Sequence, residues 1–253
     1  MEVLDEILRR SETKITNINE KIKYEHMDSK QKYKVIAVDA DNTLYELNAK
    51  PAYKKFFSYL SEKLNINRDI LEKTFLEVVG QVKKSKNPEE RKREYSLKKT
   101  LDKLGVKYSE ELIKESLKIF WDEVLNTITP KNGVIEFIEK HKDKYIIVFT
   151  DEFREIVEKK LEKAFGDWRK YFRYLITPEV TKEMKPSEKY YKKILEITKA
   201  KPEEIIVIGD SWEKDLKIAK DMGMKTVLIS EEKQGDPDVF VKDFKELEQK
   251  RII

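Results

Sequence analysis

The sequence predicts an α/β protein, with a Rossmann-like core of parallel strands covered by helices on both faces and an all-α domain inserted after the first strand. Two observations predict this fold. Short β-branched apolar runs alternate with amphipathic helical segments in the second half of the chain, which is the pattern of a parallel sheet between helices. Before them lies a long segment whose apolar residues recur at helical spacing only.

The strands are predicted from four buried runs and one weaker candidate. The four runs occupy residues 34–38, 145–149, 205–208 and 225–229, and the weaker one occupies residues 174–176. Amphipathic helices are expected between the later runs, over residues 133–141, 152–165, 187–199 and 213–222. Ligands of such sheets bind beyond the carboxyl ends of the strands. The residues that follow each strand are therefore the candidates for chemistry.

The helical segment is predicted to be a domain of its own, and we call residues 47–129 the insert. Its helices are expected over residues 51–64, 68–84, 88–104 and 109–125, with Pro51 and Pro88 in first-turn positions where a missing N–H costs little. The core then consists of residues 33–46 and 130–253. Residues 1–32 are predicted to form an N-terminal helical extension, because Ile15, Ile18 and Ile22 follow helical spacing.

The composition excludes several classes of function. The 253 residues include no cysteine, which removes disulfides, thiolate catalysis and cysteine-based zinc sites, and only two histidines. None of the seven glycines forms a dinucleotide or P-loop motif. Without a long apolar run or a leader pattern, we expect a cytoplasmic protein with no membrane partner. The net charge is only +4, and the basic stretch 83–99 belongs to no recognisable nucleic-acid-binding module. We therefore expect no nucleic-acid partner.

Two acidic clusters follow predicted strands. The first strand leads into Asp39-Ala-Asp41-Asn42-Thr43, where two carboxylates lie one residue apart. Such carboxylates repel one another unless a cation offsets the repulsion, and Mg²⁺ prefers oxygen ligands of this kind. The second cluster begins at Asp210, directly after Gly209, whose small size permits a tight backbone turn. The sequence therefore predicts a Mg²⁺ site between these two strand ends.

The ordered set of motifs resembles the haloacid dehalogenase superfamily. The set comprises DxDxT at Asp39, a strand-end threonine at Thr150, Lys185-Pro, and GDSxxxxD ending at Asp215. It is most similar to the phosphatases of that superfamily that carry a helical C1-type cap between the first two motifs, and it covers about residues 34–238. The usual first motif is DxDGT. Here Asn42 replaces the glycine, and asparagine tolerates a left-handed backbone better than most residues.

This resemblance implies a role for each matched residue. Asp39 would attack phosphorus and form an aspartyl-phosphate, and Asp41 would serve as general acid and base. Mg²⁺ would be bound by the Asp39 carboxylate, the backbone carbonyl of Asp41 and the Asp210 carboxylate. The phosphate would be bound by Thr150, Asp151 and Lys185. Three further residues would contact the site residues and orient them without touching the substrate: Thr43, Ser211 and Asp215.

The resemblance also indicates an activity within the superfamily. Its dehalogenases lack a carboxylate two residues after the nucleophile, so Asp41 favours a phosphatase acting on a small phosphorylated metabolite. A phosphomutase shares this core chemistry and stays an alternative, as does a non-catalytic binding protein on the same fold. The partner is expected to be a small-molecule phosphate ester, and the protein a monomer or a small homo-oligomer.

Overall fold

The structure is a computed structural model that describes residues 32–253. The predicted N-terminal extension, with Ile15, Ile18 and Ile22, lies outside the described residues but for its last position. Within the described part of the chain, no helix has the length and apolar character needed to cross a membrane.

The described residues form eight strands and ten α-helices, which we number in chain order. The strands are β1 (Val35–Asp39), β2 (Tyr45–Glu46), β3 (Thr129–Pro130), β4 (Tyr145–Phe149), β5 (Tyr174–Ile176), β6 (Ile205–Gly209), β7 (Lys225–Ile229) and β8 (Val239–Val241). The helices are α1 (Lys50–Leu64), α2 (Arg68–Val82), α3 (Arg93–Lys103), α4 (Glu110–Asn126), α5 (Val134–Lys140), α6 (Arg154–Phe165), α7 (Pro178–Thr181), α8 (Glu188–Thr198), α9 (Lys217–Asp221) and α10 (Phe244–Gln249).

Six strands form one parallel sheet in the order β5-β4-β1-β6-β7-β8, which confirms the predicted fold class. Strand β1 lies inside this sheet and is buried along its whole length. Its side chains alternate between two hydrophobic cores: Ile36 and Val38 belong to one, Val35 and Ala37 to the other. This period of two follows from strand geometry, and it explains why a run buried on both faces is continuously apolar.

The insert contains helices α1–α4 and a third hydrophobic core of its own. Aromatic rings dominate this core. Phe56 contacts Phe57, Phe75 and Phe120, and Phe57 contacts Phe75, at centroid distances of 5.1–5.7 Å. All four pairs are edge to face, which is a favourable arrangement for rings. The two chain segments that enter and leave the insert pair as the antiparallel strands β2 and β3.

Two predicted helices are wrong in detail. The segment 88–104 is interrupted at Lys92, which is extended (φ −61°, ψ 141°), so a 3₁₀ turn at Pro88–Arg91 precedes α3. The segment 213–222 begins as a π-helical turn at Trp212–Leu216 before α9. The structure also contains β2, β3 and β8, which were not predicted, because strands of two or three residues are too short to show an alternating pattern.

Candidate active site

The carboxylate of Asp39 lies at the carboxyl end of β1, in the middle of the sheet. Its two oxygens are held by different groups. Lys185 Nζ donates to Oδ1 at 2.5 Å, and the hydroxyl of Thr43 donates to Oδ2 at 3.2 Å. All three residues are buried. The carboxylate is therefore fixed in orientation, and Thr43, four residues later in the chain, contacts it directly.

The loop after β1 turns through Asn42, which has a positive φ of 64°. This left-handed conformation is one that asparagine adopts more readily than most residues. The backbone N–H of Asn42 donates to the carbonyl of Tyr45 at 2.8 Å. The replacement of the usual glycine therefore preserves the turn, as predicted, and the turn brings Asp41 beside Asp39.

The Asp41 carboxylate is held by two donors. The Tyr45 hydroxyl donates to Oδ1 at 2.7 Å, and Lys160 Nζ donates to Oδ2 at 2.7 Å. Lys160 also donates to Glu152 at 2.9 Å and lies 5.5 Å from the ring centroid of Trp121 in α4. Its side chain is only 2% exposed. A buried lysine between two carboxylates thus positions Asp41 and contacts the insert at the same time.

Lys185 lies between the carboxylates of Asp39 and Asp215. Besides Asp39, it donates to Asp215 Oδ1 at 2.7 Å, and it stands 4.5 Å from the ring centroid of Phe149. The backbone N–H of Lys185 donates to Asp151 Oδ1 at 2.7 Å. The lysine is thus fixed at both its backbone and its ammonium group.

The carboxylates of Asp39, Asp210 and Asp215 form a cluster whose ligand oxygens lie within 4.8 Å of one another. Both oxygens of Asp215 are already engaged, one by Lys185 and the other by the backbone N–H of Ser211 at 3.1 Å. The oxygens of Asp39 likewise accept from Lys185 and Thr43, so hydrogen bonding alone does not rank the three carboxylates as metal ligands. Asp39 and Asp210 end or follow the neighbouring strands β1 and β6 at one edge of the sheet. The backbone carbonyl of Asp41 accepts no hydrogen bond within residues 32–253, which leaves it available as a ligand.

Gly209 precedes Asp210 for a different reason from the one inferred from sequence. It belongs to β6 and does not have a positive φ, so no special turn requires it. A Cβ atom at this position would instead lie 2.5 Å from the Cβ of Asp215. The missing side chain makes room for Asp215, which reaches Lys185 only by this close approach.

Thr150 and Asp151 follow β4 and complete the polar edge of the site. The Thr150 hydroxyl accepts the backbone N–H of Glu152 at 3.1 Å, which leaves its proton for an acceptor in the cleft. The Asp151 carboxylate faces the backbone of Lys185, whereas the backbone N–H of Asp151 has no acceptor within the described residues. The N–H of Asp151 is therefore better placed than its carboxylate to receive an anion.

The electrostatics of the site leave negative charge uncompensated. Burial raises the pKa of Asp39 well above its ordinary value; Lys185 offsets part of this, while Asp215 and Asp210 add to it. Burial, then Asp215, raises the pKa of Asp210 to about 6. Burial alone would lower the pKa of Lys185, but the surrounding carboxylates raise it, so the ammonium stays charged. Three carboxylates share one lysine, and a further cation would relieve their repulsion.

Tyr45, Glu152 and Lys160 also belong to this site, although they were not predicted as site residues from the sequence. Lys160 belongs to α6, and burial alone would lower its pKa, but Asp41 and Glu152 raise it. In sequence it resembles the many surface lysines, so no motif distinguishes it. The only available signal was its place in the apolar stripe of the helix with Val157 and Leu161, which are also buried.

A cleft of about 1050 Å³ lies between the core and the insert. The core wall carries Asp39, Asp41, Thr150, Lys185 and Asp210. The wall formed by the insert carries mostly basic and aromatic residues, among them Arg91, Arg93 and Trp121. The cleft is thus large enough for a small metabolite and presents groups of opposite character on its two sides.

The chain is similar to proteins of one family. Residues 33–223 match the family model of the haloacid dehalogenase-like hydrolases. A stretch of 74 residues is 34% identical to the glyceraldehyde 3-phosphate phosphatase of Pyrococcus furiosus. This match spans 29% of the chain and about a third (31%) of the length of that relative.

Solved structures share the fold at lower identity. A haloacid dehalogenase-type hydrolase of Bacillus subtilis bound to magnesium has a TM-score of 0.65 at 18% identity, covering 88% of this chain and 100% of its own. A phosphatase of this type from Thermococcus onnurineus has a TM-score of 0.63 at 20% identity, and the match covers 87% of this chain and 98% of that one. A 2-haloacid dehalogenase of Pseudomonas syringae has a TM-score of 0.63 at 18% identity, and the match covers 86% of this chain and 97% of that one. The match over residues 33–223 and the shared fold identify the chain as a member of the haloacid dehalogenase-like hydrolase family.

Proposed function

We propose that this protein is a Mg²⁺-dependent phosphatase that hydrolyses small phosphate monoesters through an aspartyl-phosphate on Asp39. The observation that carries the proposal is the pair Asp39 and Asp41, separated by one residue in the chain but held by different cations, Lys185 and Lys160. Two carboxylates with separate partners can take separate roles, one as nucleophile and one as acid and base. The partial match to a glyceraldehyde 3-phosphate phosphatase supports the same class of reaction.

In the first step, an oxygen of Asp39 forms a bond to phosphorus as the bond from phosphorus to the ester oxygen breaks. Asp41 gives its proton to that leaving oxygen, so an alcohol departs. In the second step Asp41 takes a proton from water, which attacks the phosphorus of the aspartyl-phosphate. Inorganic phosphate leaves and Asp39 is regenerated as a carboxylate.

Three groups on the core wall support binding of the phosphoryl oxygens. The Thr150 hydroxyl and the Asp151 backbone N–H are donors without an acceptor in the described structure, and Lys185 supplies a positive charge beside Asp39. Donors fixed in place before the reaction stabilise developing charge without reorganisation. For Asp151 the proposed contact is through the backbone, because the carboxylate binds the N–H of Lys185.

The residues present fit a magnesium ion. The ligands would be the carboxylates of Asp39 and Asp210 and the backbone carbonyl of Asp41, an all-oxygen set of the kind that Mg²⁺ prefers. When bound, the ion offsets the repulsion between the anionic nucleophile and the anionic phosphate. Asp215 and Ser211 act indirectly, since Asp215 holds Lys185 and is itself held by the Ser211 N–H.

We further propose that the insert, residues 47–129, serves as a cap over a core of residues 33–46 and 130–253. Its own hydrophobic core and the narrow β2–β3 connection support a unit that can move as one body. Closing over the cleft would exclude bulk water during the first step, and opening would admit the water that cleaves the intermediate.

The test is hydrolysis of para-nitrophenyl phosphate and of a panel of small phosphate esters, with Mg²⁺ and after chelation. We expect activity that needs Mg²⁺, inorganic phosphate as product, and a phosphorylated protein detectable by mass spectrometry. Asp39→Asn should abolish both turnover and the covalent adduct. A residual rate in this variant above a trace, or full activity after exhaustive chelation, would contradict the proposal. Transfer of the phosphoryl group to a second sugar hydroxyl would indicate the phosphomutase alternative, and binding without turnover the binding protein.

A further inference from the structure

Arg93 is held rigidly in the wall of the cleft that belongs to the insert. The residue begins α3, and its guanidinium carbon lies 3.9 Å from the ring centroid of Phe120, 5.1 Å from Tyr53 and 5.3 Å from Trp121. Its Nη1 donates to the Tyr53 hydroxyl at 2.9 Å. Three aromatic faces and one hydrogen bond therefore fix the guanidinium before any ligand arrives.

Arg93 forms no ion pair with a residue of the described part of the chain. No carboxylate of the described residues lies within 4.0 Å of its guanidinium, although this chain pairs many of its lysines and arginines. Its Nε is buried and has no hydrogen-bond partner within the described part of the chain. An arginine has five N–H donors, and among residues 32–253 only the Tyr53 hydroxyl accepts from one of them. The aromatic rings remove water from one side of this cation without supplying an anion.

Arg93 is also close to the reacting groups. It contacts Trp121, Trp121 lies 5.5 Å from Lys160, and Lys160 is bonded to Asp41 at 2.7 Å. Both Arg93 and Asp39 line the same cleft of about 1050 Å³. A ligand that spans this cleft from the Asp39 side to the wall formed by the insert would therefore contact Arg93.

A purely structural arginine would be expected to have its charge paired or directed into solvent. Arg93 is half-buried, lines the cleft and has no ion-pair partner among residues 32–253. A guanidinium in this state matches a carboxylate or phosphate, to which it can donate two parallel hydrogen bonds.

We propose that Arg93 binds a second oxyanion of the substrate, so that the preferred substrates are phosphate monoesters that also carry a carboxylate or a second phosphate. This inference rests on the phosphatase function proposed above and specifies its substrate class. The phosphate to be cleaved binds at Asp39, and the second anion accepts hydrogen bonds from the guanidinium N–H groups of Arg93 that face the cleft. Phosphate monoesters of similar size without a second anion, which we call neutral esters, lack this contact.

The test compares matched pairs of substrates that differ in the second anion. One pair is 2-phosphoglycolate against ethyl phosphate, and the other is fructose 1,6-bisphosphate against fructose 6-phosphate. We expect wild-type kcat/KM to be about ten- to one-hundredfold higher for at least one anionic member, the range typical of hydrogen bonds to a charged group. The pair that shows the preference distinguishes a carboxylate site from a phosphate site.

The decisive variant is Arg93→Met, which keeps an apolar chain against the rings and removes the charge. It should abolish the preference by lowering kcat/KM for the anionic member alone, with the neutral ester changed less than about threefold. Arg93→Lys keeps the charge but not the planar group that donates two parallel hydrogen bonds, and it should retain part of the preference. The matched control is Lys118→Met, because Lys118 lines the same cleft but is paired with Asp122 at 2.5 Å; its substrate preference should equal that of wild type.

The outcomes separate the two proposals. If the wild type hydrolyses neutral and anionic esters equally well, the phosphatase function stands and the role of Arg93 is refuted. An equal fall for both members of a pair in a folded Arg93→Lys variant would also refute it, because it would show that Arg93 only supports the wall of the cleft. If the wild type hydrolyses no ester in the presence of Mg²⁺, the proposed function fails and this inference fails with it.

Discussion

Lys160 offers the sharpest test of how the site is held together. Replacing it with methionine keeps most of the side-chain volume and removes a cation that is 2% exposed and bonded to both Asp41 and Glu152. Removing one partner of a buried ion pair typically costs about 3–5 kcal/mol, because a charge is left uncompensated. Here the Asp41 carboxylate is 35% exposed and that of Glu152 is 19% exposed. Water can therefore solvate part of the remaining charge, and we expect a loss of about 2–3 kcal/mol.

The measurement is urea-induced unfolding of wild type, Lys160→Met, Asp41→Asn and the double variant. The coupling energy between Lys160 and Asp41 should be about 1–2 kcal/mol, since the two are in direct contact. The asparagine of the single variant still receives a hydrogen bond from Tyr45, so that variant should unfold with nearly wild-type m-value.

The free energy of unfolding lost in Lys160→Met should not depend on pH between 6 and 9. Burial would lower the pKa of Lys160, but Asp41 and then Glu152 raise it above its ordinary value. A lysine whose folded pKa is raised contributes stability that is fully present below its unfolded pKa of about 10.4 and is lost only as the pH rises through the folded pKa. A coupling energy within about 0.3 kcal/mol of zero, or a penalty that disappears by pH 9, would show that the ion pair does not hold Asp41.

Three further predictions follow from the same geometry. Asp41→Asn should form phosphoenzyme with para-nitrophenyl phosphate, whose leaving group needs no protonation, and should accumulate it; rapid dephosphorylation seen by quenched flow would contradict this. Mg²⁺ should raise the unfolding temperature more at pH 7.5 than at pH 5, because burial and then Asp215 raise the pKa of Asp210 to about 6 and protons compete for that carboxylate. In the metal-free protein the folded state holds this proton more tightly than the unfolded state, so the free energy of unfolding should fall as the pH rises from about 4 to about 6. Asp210→Asn should remove both effects. Gly209→Ala should cost about 1–3 kcal/mol by displacing Asp215, whereas Gly80→Ala, with open space around it, should be neutral or stabilising in the same thermal assay.

The strand ends could be predicted because buried parallel strands have a simple sequence signature. Asp39, Thr150 and Asp210 each end or follow an apolar run of four or five residues. Since parallel strands end at one edge, their convergence follows from topology. The lysine at 185 could be placed only through the resemblance to a family, because nothing in its local sequence distinguishes it from a surface residue.

The residues that hold the site from the side could not be predicted in this way. Lys160 reaches Asp41 from a helix more than a hundred positions later in the chain, and Arg93 meets Phe120 and Tyr53 across three helices of the insert. These contacts depend on how helices pack against one another, and helix packing has no short sequence pattern. The break at Lys92 is likewise invisible to periodicity, yet it determines where α3 begins and where Arg93 points.

The short β2–β3 pair has a consequence for how such enzymes diversify. The linker strand itself carries Tyr45, which holds Asp41, while the hydrophobic core of the insert draws on none of the strands of the main sheet. An exchange of the segment between the two linkers would therefore leave Asp41 and Asp39, the proposed acid and nucleophile, with their hydrogen bonds to Tyr45, Lys160, Thr43 and Lys185, and would replace the wall of the cleft that the insert forms. Chimeric chains joined within β2 and β3 should keep the reaction and acquire the donor's substrate range, which makes this connection the natural boundary for recombination and for design.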